Sequence, residues 1–120
     1  MLGPMDAARA IADLVEISPQ VRAVAIAEQD GALVGTNATA VDAERLVSAA
    51  QELLGLADET RPEPVAQLEA ATSAGSVFVV RDGYRLIAAT TTPEPTVGLV
   101  FYDLKSCVRS LGQAPPDVPA

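Results

Sequence analysis

The chain has 120 residues, of which 49% are apolar and only 3% aromatic, which predicts one domain with an aliphatic core. Its formal net charge is −8, so a nucleic acid is an unsuitable partner, because binding its phosphates needs clustered Lys and Arg. The same sign of charge disfavours anionic membrane surfaces. The chain contains no His and one Cys, which removes the commonest metal ligand and excludes an internal disulfide framework.

The opening stretch has no basic region followed by an apolar run, and no stretch approaches 18 consecutive apolar residues. These features predict neither secretion nor membrane insertion, so we expect a cytoplasmic protein. We expect residues 1–4 to form a flexible N-terminus and residues 5–112 to form a single domain. The Pro-rich residues 113–120 are expected to be a disordered tail.

A first helix is predicted over Met5–Ile17 by apolar residues at three- and four-residue spacing. Asp6 is a suitable N-cap, and Ser18-Pro19 ends the pattern. The predicted apolar stripe consists of Ala8, Ile11, Ala12 and Val15. Such a stripe indicates a helix that lies on another element.

A hairpin is predicted next, from the strand Val21–Glu28 through the turn signal Asp30-Gly31 to a short return strand, Ala32–Thr36. One face should carry Ala23, Ala25, Ala27 and Val34, and the other Val24, Ile26 and Leu33. Small side chains let a helix approach a sheet closely. The alanine row therefore indicates an interior strand.

The clearest helix is predicted over Asp42–Asp58, with Asp42 as its cap. Its apolar stripe comprises Ala43, Leu46, Val47, Ala50, Leu53, Leu54 and Ala57. Its polar face comprises Glu44, Arg45, Ser48, Gln51 and Glu52. That face is either a solvated surface or a contact with a partner, and Ala49 on its flank would permit another helix to come close.

The stretch Val65–Thr72 is ambiguous, because it follows a proline and contains good helix formers. However, apolar and polar residues alternate along it, from Ala66 through Gln67, Leu68, Glu69 and Ala70. We favour a strand. Its polar face suits the edge of a sheet, and an edge must be protected or paired.

A second hairpin is predicted over Ser76–Thr91, with Asp82-Gly83 as its loop and Arg81 opposite Tyr84. One face would carry Val77, Val79, Leu86 and Ala88, and the other Phe78, Val80, Ile87 and Ala89. Both faces are apolar, so other elements must cover both of them. At the tip, Arg81 and Tyr84 are expected to stack; an arginine reaching into a partner's nucleotide site is the less favoured alternative.

A last helix is predicted by Val97, Val100, Phe101, Leu104, Val108 and Leu111, and Gly112 ends it. Cys107 on this helix is expected to be a structural thiol, because no His is present to activate it. The predicted fold class is α/β of the α+β type. It has the order α-β-β-α-β-β-β-α, with a five-stranded, mainly antiparallel sheet and helices on both faces.

No catalytic, metal or cofactor constellation is evident in the sequence. Turn chemistry explains both Asp-Gly pairs, and the glycines match no phosphate-binding fingerprint. The carboxylates lie in predicted caps, turns and helix surfaces. We therefore expect a protein that is not an enzyme and binds no cofactor or metal.

Three stretches follow one another in a distinctive order: AVAIAEQDGALVG, then DAERLVSAAQELLGLA, then SVFVVRDGYRLIAATT leading into VGLVFYDLKSCVRSL. In this order they resemble the roadblock (dynein light chain) family, especially its small single-domain bacterial members, over about Asp6 to Leu111. The resemblance implies a homodimer whose third strands pair across a two-fold axis. The implied interface consists of Val65, Ala66, Gln67, Leu68, Glu69, Ala70 and Ala71, with Ala49, Ala50 and Leu53 on or beside a helix contact.

The resemblance also implies a small Ras-like GTPase as the partner, since members of that family bind such GTPases. We therefore expect a homodimer that binds a bacterial GTPase and modulates its nucleotide cycle. The candidate partner-binding residues are Glu44, Arg45, Ser48, Gln51 and Glu52. One alternative is a structural dimerisation scaffold without effect on GTP hydrolysis. Another is a small-molecule sensor, although the predicted core lacks the convergent polar groups of a ligand site.

Overall fold

The computed structural model describes residues 6–111, and these form elements in the order α-β-β-α-β-β-β-α. The helices are α1 (Ala7–Ile17), α2 (Ala40–Glu59) and α3 (Val97–Arg109), and the strands are β1 (Val21–Glu28), β2 (Leu33–Thr36), β3 (Gln67–Thr72), β4 (Gly75–Asp82) and β5 (Arg85–Thr91). The predicted element order and α+β fold class are confirmed. The predictions for residues 1–4, for residues 113–120 and for the helix end at residue 112 lie outside the described residues.

The five strands form one sheet in the order β2-β1-β5-β4-β3, and every neighbouring pair is antiparallel. Strand β1 is interior, as its alanine row predicted, and β2 and β3 are the edges. Helix α2 contacts β1, β2 and β5 on one face, while α1 and α3 cover the other. Both faces of the β4–β5 hairpin are therefore covered, although α2 lies mainly over β1, β2 and β5.

Large aliphatic side chains fill the layer between the sheet and helices α1 and α3. The buried residues here include Ile11, Leu14, Val24, Ile26, Phe78, Val80, Ile87, Val100, Leu104 and Val108. Phe78 meets Phe101 edge-to-face, with ring centroids 4.9 Å apart and an interplanar angle of 73°. Burying these residues supplies most of the apolar area removed from water on this face.

Small residues fill the layer between the sheet and α2. Ala25, Ala27 and Ala88 of the sheet face Ala43 and Ala50 of the helix, and all five are 0% exposed. Without larger side chains between them, the helix and the sheet approach closely. This explains why the sequence has an aliphatic core that is rich in alanine.

The rotation of α1 differs from the prediction. Ala8 and Ala12 are exposed, and the buried face consists of Ala7, Ala10, Ile11 and Leu14. The contact between α1 and β2 explains the difference, because a Cβ added at Gly35 would lie only 2.6 Å from the Cβ of Ala7. A glycine in the neighbouring strand therefore allows Ala7 to face the sheet. The predicted N-cap is confirmed, since the Asp6 carboxylate accepts a 2.9 Å hydrogen bond from the Arg9 N–H.

The start of α2 also differs from the prediction. Thr39, not Asp42, is the N-cap, and its Oγ1 accepts a 3.2 Å hydrogen bond from the Asp42 N–H. The helix thus begins at Ala40, and Asp42 lies in its first turn, where a carboxylate interacts favourably with the helix dipole. An acidic residue near a helix start suits either position, so the pattern alone did not separate cap from first turn.

The register of the β4–β5 hairpin is shifted by two residues from the prediction. Asp82 pairs with Arg85 and Arg81 with Leu86, so the loop is Gly83-Tyr84. Gly83 has φ +62°, whereas Tyr84 has no positive φ, which is the pattern of a turn with glycine at its first central position. Because the shift is even, every side chain stays on the predicted face.

The β1–β2 hairpin contains a bulge that places one residue on the face opposite to the predicted one. Gly31 has φ +103°, and the Asp30 Oδ1 accepts a 2.9 Å hydrogen bond from the Ala32 N–H. A bulge follows, so Leu33 lies opposite Ala27 and on the α2 side of the sheet. The prediction that Leu33 shares a face with Val24 and Ile26 is therefore wrong.

Candidate self-association surface

Strand β3 forms an open edge of the sheet. It pairs with β4 from Gln67 opposite Val80 to Thr72 opposite Gly75, and hydrogen-bonded pairs alternate along such a ladder. The Arg81 N–H donates to the Ala66 carbonyl at 2.8 Å, which fixes the phase of the alternation. The N–H and C=O groups of residues 67, 69 and 71 therefore point away from β4, and no strand within residues 6–111 pairs with them.

Half-buried apolar residues lie beside this edge on the α2 side of the sheet. Val65, Leu68 and Val77 pack against the α2 core and remain partly exposed, since α2 lies mainly over β1, β2 and β5. Val65 and Ala66 precede the strand, whereas the other five predicted interface residues of this stretch belong to it. The result is an apolar surface next to unpaired backbone groups.

One flank of α2 carries further exposed apolar area. Leu53 is half-buried, Leu56 is 56% exposed and Ala49 is exposed. Ala50, which the prediction placed on or beside a helix contact, is 0% exposed and faces the sheet, so it lies beneath the surface and not on it. Leu56 was missed by the sequence analysis. The signal available was its spacing of three residues from Leu53, on the same side of the helix.

The polar face of α2 is exposed at four of its five predicted positions, namely Glu44, Arg45, Ser48 and Glu52. Gln51 is different. Its Nε2 donates a 3.0 Å hydrogen bond to the Gln29 carbonyl, and its amide lies against Gly31. Gln51 thus holds the β1–β2 turn against α2, and its contact with a partner stays a prediction.

Arg81 is not at the hairpin tip. Its Nη2 lies 3.0 Å from Oδ2 of Asp58, and its Nη1 donates to the Val65 carbonyl at 2.9 Å. The predicted stacking of Arg81 on Tyr84 is therefore wrong, and its guanidinium is engaged within the chain. The cation over the Tyr84 ring is Arg85, whose Cζ lies 4.8 Å from the ring centroid. The register shift explains the exchange of arginines.

Asp58 is a second residue that the sequence analysis did not single out as functional. Its Oδ1 accepts a 2.7 Å hydrogen bond from the Val65 N–H, and its carboxylate also pairs with Arg81. The hydrogen bond from Arg81, and then that from Val65, hold the pKa of Asp58 below its ordinary value. The Asp58–Arg81 pair thus joins the end of α2 to β4 and to the segment that leads into β3.

Cys107 is buried, and burial, followed by the charge of Asp13, raises the pKa of its thiol to about 11. Within residues 6–111 no group of three or more His, Cys, Asp or Glu side chains is placed to hold a metal ion. No helix in that range is long and apolar enough to cross a membrane.

Comparisons with known proteins identify the fold. No protein-family model matches the sequence, and no curated protein matches it. Among solved structures, the chain is similar to a Roadblock/LC7 domain from Streptomyces avermitilis, with a TM-score of 0.78 and 18% identity over 88% of this chain and 94% of that one. A second such domain from Streptomyces gives a TM-score of 0.70 and 22% identity over 84% and 93%.

MglB from Myxococcus xanthus is also similar, with a TM-score of 0.65 and 16% identity over 88% of this chain and 87% of that one. The chain therefore has the roadblock/LC7 fold. The resemblance described from the sequence is confirmed at the level of the fold.

Proposed function

We propose that the protein is a homodimeric regulator that binds a small Ras-like GTPase and modulates its nucleotide cycle. The main observation in support of the homodimer is the open edge of β3, with the half-buried Leu68 and Val77 beside it. The GTPase is proposed from the resemblance to the roadblock family, whose members bind such GTPases, and the folds of MglB and MglC are similar to that of this chain. One solved MglB has a tetrameric arrangement, which supports self-association of this fold.

Pairing of two β3 strands would satisfy the backbone groups that point away from β4. An exposed edge strand is a template for another strand, and β3 lacks the Pro and Lys residues that commonly protect such edges. A two-fold axis makes the two strands antiparallel and gives each copy the same contacts. The two sheets would then join into one continuous sheet of ten strands.

Side-chain charges select among the possible registers of this pairing. If Glu69 lay on the axis, it would face Glu69 of the partner subunit, and like charges directly opposite each other are destabilising. If Leu68 lies on the axis, it faces the same leucine of the second copy, and Gln67 faces Glu69 of the partner subunit. This register places an apolar pair on the α2 side, where Val65 and Val77 are already half-buried. We therefore propose the register centred on Leu68.

The exposed apolar flank of α2 supports the same arrangement. Ala49 is small enough to let another helix come close, and burying Leu53 and Leu56 against the second copy would remove apolar area from water. The exposed polar face of α2, which includes Arg45 and Ser48, would stay at the surface of the dimer. We propose this face as the contact with the GTPase.

The test uses the Ras-like GTPase encoded nearest to this protein, loaded with GDP or with a non-hydrolysable GTP analogue. Calorimetric titration should show tighter binding to one nucleotide state, and Arg45→Glu should weaken that binding at least about tenfold. The matched control is Arg9→Glu on α1, which reverses the same charge on the other face of the sheet and should leave binding unchanged.

Single-turnover GTP hydrolysis is measured on the same samples. Equal binding to both nucleotide states, with no change in the hydrolysis rate, would favour the alternative of a dimerisation scaffold. No complex in either nucleotide state, together with an unchanged hydrolysis rate, would contradict the proposed function.

A further inference from the structure

A groove runs between α1 and α3, on the face of the sheet opposite α2. Its volume is about 130 Å³, and its lining includes Asp13, Leu14 and Ile17 of α1 with Asp103 and Ser106 of α3. This volume is well below that of a typical small-molecule pocket, so the groove has room for one long side chain and not for a folded element.

Asp103 is the unusual residue of this groove. It is only 7% exposed, and within residues 6–111 its carboxylate has neither a hydrogen bond nor an ion pair. The carboxylate therefore meets solvent at the groove while the rest of the residue is enclosed, and a charge with so little access to water is normally paired. The neighbouring cations do not supply a partner, because Arg109 pairs with Asp82 at 3.9 Å and both Lys105 and Arg109 lie on the other flank of α3.

The surroundings of Asp103 combine negative charge with apolar surface. Asp13 contributes a second carboxylate from the facing helix, and Ser106 contributes a hydroxyl one turn further along α3. Leu14 forms an apolar wall, and Ile17, at the end of α1, is 65% exposed. A lysine or arginine side chain has the matching character, with an apolar stem and a cationic head.

We propose that the α1–α3 groove binds a basic segment of a protein partner, with a Lys or Arg head group at Asp103 and Asp13 and apolar contacts on Leu14 and Ile17. The proposal goes beyond the GTPase contact on α2, because it uses the opposite face of the sheet. Two strands, β5 and β4, separate the β3 edge from β1, which α1 covers. The groove therefore stays open in the dimer and in the monomer, and either proposal can fail without the other.

The test is an NMR titration of the ¹⁵N-labelled protein with n-butylguanidinium, which carries the head group and part of the stem of arginine. Saturable shifts should appear at the amides of Asp13 and of Asp103–Ser106. Asp103→Asn should abolish these shifts, whereas Glu52→Gln, which removes an exposed carboxylate from α2, should leave them unchanged. Shifts spread over all acidic residues would contradict the proposal.

Two further probes separate a basic segment from other ligands. Uncharged n-butylurea should bind much more weakly, and equal binding would show an apolar pocket without charge recognition. Mg²⁺ should produce no saturable shifts in the groove, and saturation by Mg²⁺ at lower concentration than by the guanidinium would identify a metal site and overturn the proposal.

The stability of Asp103→Asn gives an independent measurement. If the carboxylate is unpaired, removing its charge should leave the Tm unchanged or raise it. A clear fall in Tm would show that Asp103 has a stabilising partner inside the protein, and the proposal would then be wrong.

Discussion

The guanidinium of Arg81 on β4 pairs with the carboxylate of Asp58 at the end of α2, with Nη2 3.0 Å from Oδ2. Both residues also hold Val65, since Arg81 donates to its carbonyl at 2.9 Å and Asp58 accepts from its N–H at 2.7 Å. One ion pair thus fixes the segment that leads from α2 into β3. The position of the proposed dimer edge depends on this contact.

The Arg81–Asp58 contact predicts coupled effects on stability. Asp58→Asn and Arg81→Met should each lower the Tm, because each leaves the other residue without its charged partner. The double variant should lose less than the sum of the two single losses, since both remove the same interaction. Thermal unfolding of the wild type, the two single variants and the double variant measures this coupling. Strictly additive losses would show that the two residues stabilise the fold independently.

The same contact predicts a pH dependence. The pKa of Asp58 lies below its ordinary value of 3.8 in the folded protein, so the ionised carboxylate stabilises the fold. This contribution is fully present above pH 3.8 and is lost as the pH falls through the lower pKa of the folded state. The Tm difference between the wild type and Asp58→Asn should therefore be constant from about pH 5.5 to 8 and shrink in acid. A difference independent of pH down to 2 would contradict this.

Gly75 is predicted to be the most sensitive glycine of the described chain. It has φ +146°, and a Cβ added there would lie 2.1 Å from the Thr91 carbonyl oxygen. Gly75→Ala should therefore destabilise the fold by roughly 2–4 kcal/mol through a backbone clash and strain. Gly55→Ala is the matched control, because nothing lies within 4 Å and the residue is helical. It should stabilise by up to about 1 kcal/mol. Urea unfolding compares the two, and a small loss at Gly75 would show that the β3–β4 hairpin can shift.

The β4–β5 hairpin shows how far the sequence predicted the structure. Its apolar runs and the Asp-Gly signal predicted the two strands and the side chains on each face correctly. The loop was misplaced by one residue, because only Gly83 needs a positive φ and Asp82 can join the strand. That small difference moved Arg81 from the tip to a position opposite Leu86, and this changed its expected role.

The candidate site was less predictable than the fold, because it depends on contacts between distant parts of the chain. The alternation in Val65–Thr72 indicated an edge strand, and the structure has one. However, no local pattern could show that Asp58 meets Arg81, 23 residues later, or that Asp103 is enclosed with no ion pair to any residue of the range 6–111. Both facts follow from where α2 and α3 lie on the sheet.

The thiol of Cys107 is predicted to be unreactive in the folded protein. The residue is buried, and its pKa is raised to about 11, so little thiolate exists near pH 8. Labelling with a disulfide reagent at pH 8 should be at least about 100-fold slower than in the urea-unfolded protein. Equal rates in the two states would show that the helix pair α1–α3 opens freely.

The register proposed for the dimer predicts a specific cross-link. In a Cys107→Ala background, Leu68→Cys should form an intermolecular disulfide on oxidation, because facing residues at a non-hydrogen-bonded pair are about 4.5 Å apart between Cα atoms. Ser73→Cys, at the β3–β4 turn, should not, since the two copies of that residue would be about 30 Å apart. Preferential cross-linking of Ala70→Cys would instead place the axis at residue 70.

The mass of the protein in solution tests the central claim, that two copies pair along β3, most directly. Multi-angle light scattering should give twice the chain mass of 12.4 kDa for the wild type. Leu68→Pro should shift the protein to monomer or to aggregate, because it removes an N–H that bonds β4 and so distorts the strand whose other edge would pair. Glu63→Pro, which places the same residue in the exposed loop between α2 and β3, is the control. A wild-type mass of 12.4 kDa at 100 µM, or a dimer that Leu68→Pro leaves unchanged, would contradict the account.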